Sequence, residues 1–404
     1  MEQSASEHLK DTMLYVSFNQ DSSCFSIGTD RGFKVYATFP FKDYFERILD
    51  GGIGIAEMLY KSNFLALVGG GKIPKYNRNK VVIWDDYNQK IVSEIKFTSS
   101  VKSVKMKMDK IFIVCERRIF VFGFQSYQNL DVFDTVDNPK GLLAVNSNSN
   151  QTVIAFPISQ QKDPNKGYVH IKDYDKNTEK NLLVQDDRIS YMCMNCDGKL
   201  LATSNDNGRI IRIHSCISYD LLQEFERGNE KTEINYICFD NLNKFLGVTS
   251  ERGTLHIWSL GSTIKKMKEI NKSEPNIWDD LNHNPSPSES TITNSEGKIN
   301  AKGDSEPVSL DKNSINLNKA TTEKLPENKR SIFSGFGFRK GEFSFAQVKN
   351  LDPQCICAFV PENKVVIVTS QGKYIQAQID INKGGECKIL MEKSLMEKED
   401  KKNK

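Results

Sequence analysis

The chain has 404 residues, with 55 Lys and Arg against 52 Asp and Glu, and the resulting net charge of +3 argues against a general nucleic-acid-binding surface. No stretch approaches 18 apolar residues, which excludes a helical membrane span, and the opening MEQSASEHLKDTMLYVSF lacks the basic and then apolar run of a secretory signal. The length suffices for one large all-β domain or two ordinary ones.

In chain order, one short pattern recurs: a turn residue followed by alternating apolar positions. It appears as GFKVY from Gly32, NKVVIWDD from Asn79, RRIFVFGF from Arg117, GYVHIKDY from Gly167, GRIIRIHS from Gly208, GTLHIWSL from Gly253 and GKYIQAQI from Gly372. Most copies are roughly 38–50 residues apart, close to the ~40–45 of a four-stranded propeller blade. A second strand signal precedes many of them, as in FLALVGG at Phe64, KIFIVCE at Lys110, KLLATSN at Lys199, KFLGVTS at Lys244 and KVVIVTS at Lys364. Seven such units, none able to bury both faces alone, predict an all-β, closed seven-bladed β-propeller.

The gap from Gly253 to Gly372 is too long for one blade. Its excess is a polar tract from Ser262 to Arg330 that includes NHNPSPSESTITNSEGK, a composition that cannot offset the entropy of ordering. The expected layout is therefore blades one to six over 1–261, a disordered insertion within blade six over 262–342, the rest of blade six and blade seven over 343–392, and a charged tail over 393–404. At the far end of the insertion, Phe343 and Phe345 alternate with polar residues and read as the outer strand completing blade six. Phe333, Phe336 and Phe338 lie among glycines between Lys329, Arg330, Arg339 and Lys340, which suits an anionic membrane interface. Capping of the propeller core is the alternative for these rings, and bases stacked on them a weaker one.

Fragments that look like enzyme motifs fail on inspection. LVGGGKIP at Leu67 has Ile73 where a phosphate loop needs Ser or Thr, and Ala66 where its leading glycine belongs. Cys193-Met-Asn-Cys196 has no second matching pair, Cys355-Ile-Cys357 has strand spacing, and the five histidines form no metal-spaced set. The odd, scattered set of nine cysteines fits reduced thiols in a cytosolic protein. No catalysis, metal or cofactor is expected.

The runs FNQDSSCFSIGTDRGFKVY, GGIGIAEMLYKSNFLALVGGG, KIPKYNRNKVVIWDD and NPKGLLAV, followed by EFERG and SERGTLHIW, resemble the PROPPIN family of WD-repeat-like propellers over nearly the whole chain outside the insertion. Within that family they look most like the smaller, shorter-looped WIPI-type branch. The resemblance implies binding of phosphatidylinositol 3-phosphate, and of the 3,5-bisphosphate, on autophagic and endosomal membranes, with recruitment of other machinery. It implies a cytosolic protein, monomeric in solution, that sits peripherally on preautophagosomal and endosomal or vacuolar membranes. The family signature is an aromatic or leucine, two arginines and a glycine, each arginine serving one of two lipid pockets. Here the first arginine is replaced by Glu226, in Phe225-Glu226-Arg227-Gly228.

For the second pocket, the residues carried over are Arg227, Thr232, Ser250, Thr254 and His256: a forked cation, three hydroxyls and an imidazole that gains charge at modestly acidic pH. Without the resemblance, Arg227 reads as a rim arginine satisfied by Glu226, Glu224 or solvent, Gly228 as a turn glycine with positive φ, and Ser250 and Thr254 as hairpin-closing residues. The first pocket has Gln185, Asn205 and Arg209 where the family favours histidine, serine and threonine, and keeps Arg212. Arg209 stands either as a replacement for the charge lost at Glu226 or as its ion-pair partner. In similar proteins a loop at the place of the Phe-rich segment inserts into the bilayer. Asn19 and Asp21 match residues that help bind the large bridge-like lipid-transfer protein of autophagy, although a β-turn explains them locally. Two functions follow: a phosphoinositide effector, or a protein-binding propeller scaffold whose lipid site has decayed.

Overall fold

The computed structural model describes residues 11–273, 325–330 and 342–396. Seven sheets, each with a body of antiparallel strands, form the seven blades of a β-propeller, and two of them gain short parallel strands from later in the chain: Glu342–Phe343 on blade five and Gly385–Glu386 on blade six. Blade one runs through Met13–Phe18, Cys24–Thr29, Gly32–Ala37 and Lys42–Ile48 from the innermost strand to the outermost. The second strand of each blade, and the third strand of most, is buried on both faces and carries a near-continuous apolar run such as FLALVG or KVVIWD, whereas the third strands of blades three and four, Arg118–Gly123 and Gly167–Asp173, alternate. The outer strands alternate: in Lys42–Ile48, Phe45 and Arg47 turn inward while their neighbours face solvent.

Tight turns between second and third strands explain the glycines that open several repeats. Gly208 has φ +58°, and a Cβ there would lie 2.0 Å from the Thr232 carbonyl oxygen, so no other residue fits.

The ring closes without a strand shared between its ends. Blade seven is Cys355–Val360, Lys364–Thr369, Lys373–Gln378 and Lys388–Ser394, all from one stretch of chain. It meets blade one through side chains. Tyr374 is fully buried against Phe25 and Phe41, with ring centroids 6.2 and 4.6 Å away, and donates its hydroxyl to the Thr38 carbonyl at 2.9 Å. Buried aromatic area of this size supplies about 1.5–3 kcal/mol per ring, enough to hold a seam with no ladder across it.

Blade four departs from its neighbours. Its innermost strand is only Ala144–Val145, whereas the other six innermost strands have six residues each.

The insertion lies within blade six, after Thr254–Ser259, but three details differ from the sequence reading. Gly261–Ser273 is an α-helix, so regular structure continues past Ser262. Lys266 near its start donates to the Leu222 carbonyl at 2.8 Å, tying the helix to the outer strand of blade five. The outer strand of blade six is Ala346–Val348, paired with Leu255–Ile257, not a strand through Phe343 and Phe345. Phe343 belongs to Glu342–Phe343, which adds in parallel to Phe225–Glu226 at the edge of blade five, and Phe345 is buried against Phe245. Finally, the last strand reaches Ser394 and Leu395 is buried behind it, so the charged tail does not begin at residue 393. Phe333, Phe336 and Phe338 lie outside the described residues.

Candidate functional site

Arg227 follows the outer strand Leu221–Glu226 of blade five and is 8% exposed. Its backbone NH donates to the Arg209 carbonyl at 2.8 Å, and its Nε to the Gly208 carbonyl at 2.7 Å. The Nη2 group donates to the Glu230 carbonyl. The obligatory glycine at position 208 thus lets the arginine reach that turn. Two carbonyls aim the guanidinium, and no carboxylate forms an ion pair with it among the described residues. Burial pushes its pKa below the ordinary value, Arg252 and Arg209 push the same way, and Glu230 opposes them. An anion entering here would meet a fixed cation with spare donors.

The residues expected around it belong to the adjoining blade. Ser250 and Thr254 face each other across the turn between Phe245–Ser250 and Thr254–Ser259. Ser250 is fully buried and its Oγ has no hydrogen-bond partner among the described residues, which is an unusual loss for a buried hydroxyl. Thr232 is buried and Thr254 partly exposed. His256 lies close enough to Arg227 to feel its charge. Its Nδ1 is 3.1 Å from Ser344 Oγ, and its ring stacks on Trp258 with centroids 5.6 Å apart. Burial, reinforced by Arg227, lowers its pKa to about 4, so the ring is neutral at modestly acidic pH, contrary to the expectation that it gains charge there.

Gly228 also differs from expectation. Its φ is not positive, and a methyl group in its place would meet no atom within 4 Å. It leaves open space beside Arg227; the conformational demand falls on Gly208.

Three of the first-pocket residues, Gln185, Asn205 and Arg212, are engaged by neighbours outside the set. Gln185 is buried and donates to the Thr203 carbonyl and hydroxyl at 2.9 and 3.0 Å. Asn205 bonds Asp187 at 3.4 Å. Arg212 is held by Glu224 at 2.8 Å and Asp186 at 2.7 Å, which keep it charged but neutralise it. Arg209 is exposed, and no ion pair joins it to Glu226 among the described residues. His214, on the strand carrying Arg212, is buried, its Nδ1 has no partner among the described residues, and burial plus the Arg212 charge lower its pKa to about 4.

Asn19 and Asp21 lie in the turn between the first two strands of blade one, at the end of the propeller opposite the turns that carry Gly208 and Ser250. Asn19 is buried: its Oδ1 accepts the Cys24 NH at 3.0 Å and its Nδ2 donates to the Tyr60 carbonyl at 3.2 Å. Asp21 is exposed and accepts the Ser23 NH at 3.0 Å.

Sequence reasoning missed Arg252, and it missed Trp258. That ring stacks on Phe225 as well as His256 and donates Nε1–H to the Glu342 carbonyl at 3.0 Å, joining the outer strand of blade five and His256 to the returning insertion. An aromatic residue two positions after His256 on one strand face is the signal that was available.

These features make the chain a seven-bladed β-propeller with a buried arginine, held by two backbone carbonyls, at the junction of blades five and six. Comparison with known proteins then gives the family. The family model PROPPIN matches residues 12–282, and the chain belongs to the PROPPIN family. Autophagy-related protein 18 of Yarrowia lipolytica is 26% identical over 96% of this chain and 98% of its own. Autophagy-related protein 18e of Arabidopsis thaliana is 36% identical over 61% of this chain and 66% of its own, just under two thirds of that relative's length. Among solved structures, Kluyveromyces lactis Hsv2 superimposes with TM-score 0.66 at 18% identity, covering 95% of this chain and 99% of that one. A complex of KlAtg21 with the coiled-coil of AgAtg16 superimposes with TM-score 0.69 at 19% identity, covering 95% and 99%.

Proposed function

We propose that this chain is a phosphoinositide effector that grips the 3-phosphate of phosphatidylinositol 3-phosphate in the Arg227 pocket. Arg227 carries the reading: a buried guanidinium, fixed by two backbone carbonyls and opposed by the charges of Arg209 and Arg252, lacks among the described residues the carboxylate partner that Arg212 has twice over. Ser250 Oγ, Thr232 and Thr254 supply the hydroxyls a phosphate monoester needs, and neutral His256 can donate one hydrogen bond. The 3,5-bisphosphate carries the same 3-phosphate and is the second lipid of this reading. The Phe333, Phe336 and Phe338 segment adds shallow membrane insertion, which multiplies the dwell time of a single headgroup contact.

On such membranes the protein recruits autophagy machinery, with Asn19 and Asp21 facing a lipid-transfer protein, and it performs no catalysis. The autophagy names of its relatives and the coiled-coil partner of KlAtg21 support this reading. A protein-binding scaffold with a decayed lipid site is the second reading, favoured by the two carboxylates on Arg212 and by Glu226 in place of an arginine.

Flotation of the purified protein with vesicles containing or lacking phosphatidylinositol 3-phosphate separates the two. Lipid-dependent flotation that Arg227→Ala abolishes supports the effector. No lipid-dependent flotation by the natural chain overturns the effector reading.

A further inference from the structure

Blade four lacks most of its innermost strand, and the missing part leaves a hole. Ala144 and Val145 pair with Ala155 and Ile154; continued backwards, the same register would set residues 139–142 opposite 157–160. The chain turns aside instead. Asn138, 2% exposed, accepts the Leu142 NH at 2.7 Å and donates to the Leu142 carbonyl at 3.0 Å, satisfying both groups as a neighbouring strand would. Pro139 and Gly141 fall within this turn, and the Gly141 NH closes it onto the Asn138 carbonyl at 3.1 Å.

The vacated space is a cavity of about 620 Å³, walled by Pro157 and Ile158 of blade four, Ile189 and Ser190 of blade five, and the pinned turn. The exposed strand edge beside it is blunted. Pro157 has no NH to offer, and its carbonyl already accepts the Thr135 hydroxyl at 2.6 Å, so an occupant would be held by its side chains rather than by a ladder.

The other six blades show what fills this position: extended chain. We propose that the cavity binds an extended segment of a partner polypeptide, about four residues long, that places an apolar side chain in the hole and a single carboxylate on Arg188. The charges around the cavity specify that carboxylate. Arg117, Lys140 and Lys166 already have acidic partners in Asp137, Glu233 and Asp163, whereas exposed Arg188 has no ion pair among the described residues. Asp206 stands on the same wall, also without an ion pair, and repels a longer acidic run. The site is separate from the Arg227 pocket and does not depend on the lipid reading.

The test uses the whole protein. Random 12-residue peptides displayed on phage are selected against it and counter-selected against Ser159→Trp, which blocks the cavity from an exposed position. The best synthetic peptide is then measured by fluorescence polarisation. The expected motif is an aliphatic residue beside one Asp or Glu. Binding falls at least tenfold in Arg188→Glu and in Ser159→Trp while melting temperature and vesicle flotation stay unchanged, and changing the peptide's acid to Lys restores binding to Arg188→Glu. Failure to enrich any peptide over the blocked variant overturns the proposal. So does a selected peptide that binds Arg188→Glu and Ser159→Trp as tightly as the natural chain.

Discussion

The two arginines at the rim, Arg212 and Arg227, sit on the same blade and differ in one respect that decides what each can do. Arg212 is bracketed by Asp186 and Glu224, while the side-chain partners of Arg227 among the described residues are carbonyl oxygens. A carbonyl orients a guanidinium without cancelling its charge, whereas a carboxylate does both. Each arginine also has a buried neutral histidine nearby, His214 and His256 respectively, so the histidines do not explain the difference. The number of arginines in a motif is therefore a poor guide to anion binding; the partners those arginines already hold decide it.

The comparison breaks most directly at the arginines themselves. Arg227→Ala is expected to weaken phosphatidylinositol 3-phosphate binding by tenfold to a hundredfold, about 1.4–3 kcal/mol. Arg212→Ala should change it less than twofold, as measured by titration with vesicles. Equal losses would mean that both pockets work.

The histidines give the next largest effect, on stability. The pKa of each ring falls from 6.5 in the unfolded chain to about 4 in the fold, so between those values the unfolded state binds more protons. Stability is complete above about pH 6.5 and declines as pH falls towards 4, with a slope of up to about 1.4 kcal/mol per pH unit for each ring. Denaturant melts at pH 7 and pH 5 should show that decline, and His256→Gln or His214→Gln should each flatten part of it. Unchanged slopes in both variants would contradict the assignment.

A smaller change is expected from Glu226→Arg, which removes a carboxylate from the rim and adds a cation: tighter vesicle binding, by about threefold to tenfold. The smallest effects sharpen the pocket. Ser250→Ala deletes a hydroxyl that has no partner among the described residues, so the fold should be unaffected or gain up to about 1 kcal/mol while lipid affinity drops a few-fold. A loss of stability on that change would place an unseen partner on Ser250.

Much of this was legible in the sequence, for reasons that also mark where reading fails. Seven blades follow from a period that depends only on strand length and turn chemistry, and the turn glycines at Gly208 and Gly253 mark it. The outer strand of blade six was misplaced because alternation at Phe343 and Phe345 fits any register shifted by two residues, and only the neighbouring edges decide between them. The helix at Gly261 was overlooked although Ile264, Met267 and Ile270 recur at three-residue steps, because the composition of the whole tract outweighed that weak period. Arg227, Ser250 and His256 came from resemblance, and the structure adds their state: one charged, one unpartnered, one neutral. Burial set the last of these, and no sequence spacing reports burial. In blade four, Pro139 and Gly141 were in plain view in NPKGLLAV, a proline and a glycine where a strand would otherwise run.

The seam between blades seven and one carries a further consequence. Among the described residues no strand crosses it, whereas Glu342–Phe343 pairs onto blade five from the chain of blade six and Gly385–Glu386 pairs onto blade six from the chain of blade seven, so the joint held by Tyr374 is less interlocked than those two. The ring can therefore be opened at another junction that no strand crosses, such as the one between blades one and two. A rearranged gene that opens at Ile53, joins Leu395 to Met13 through a flexible linker and finishes with the strand Lys42–Ile48 would encode the same set of blades in the same cyclic order.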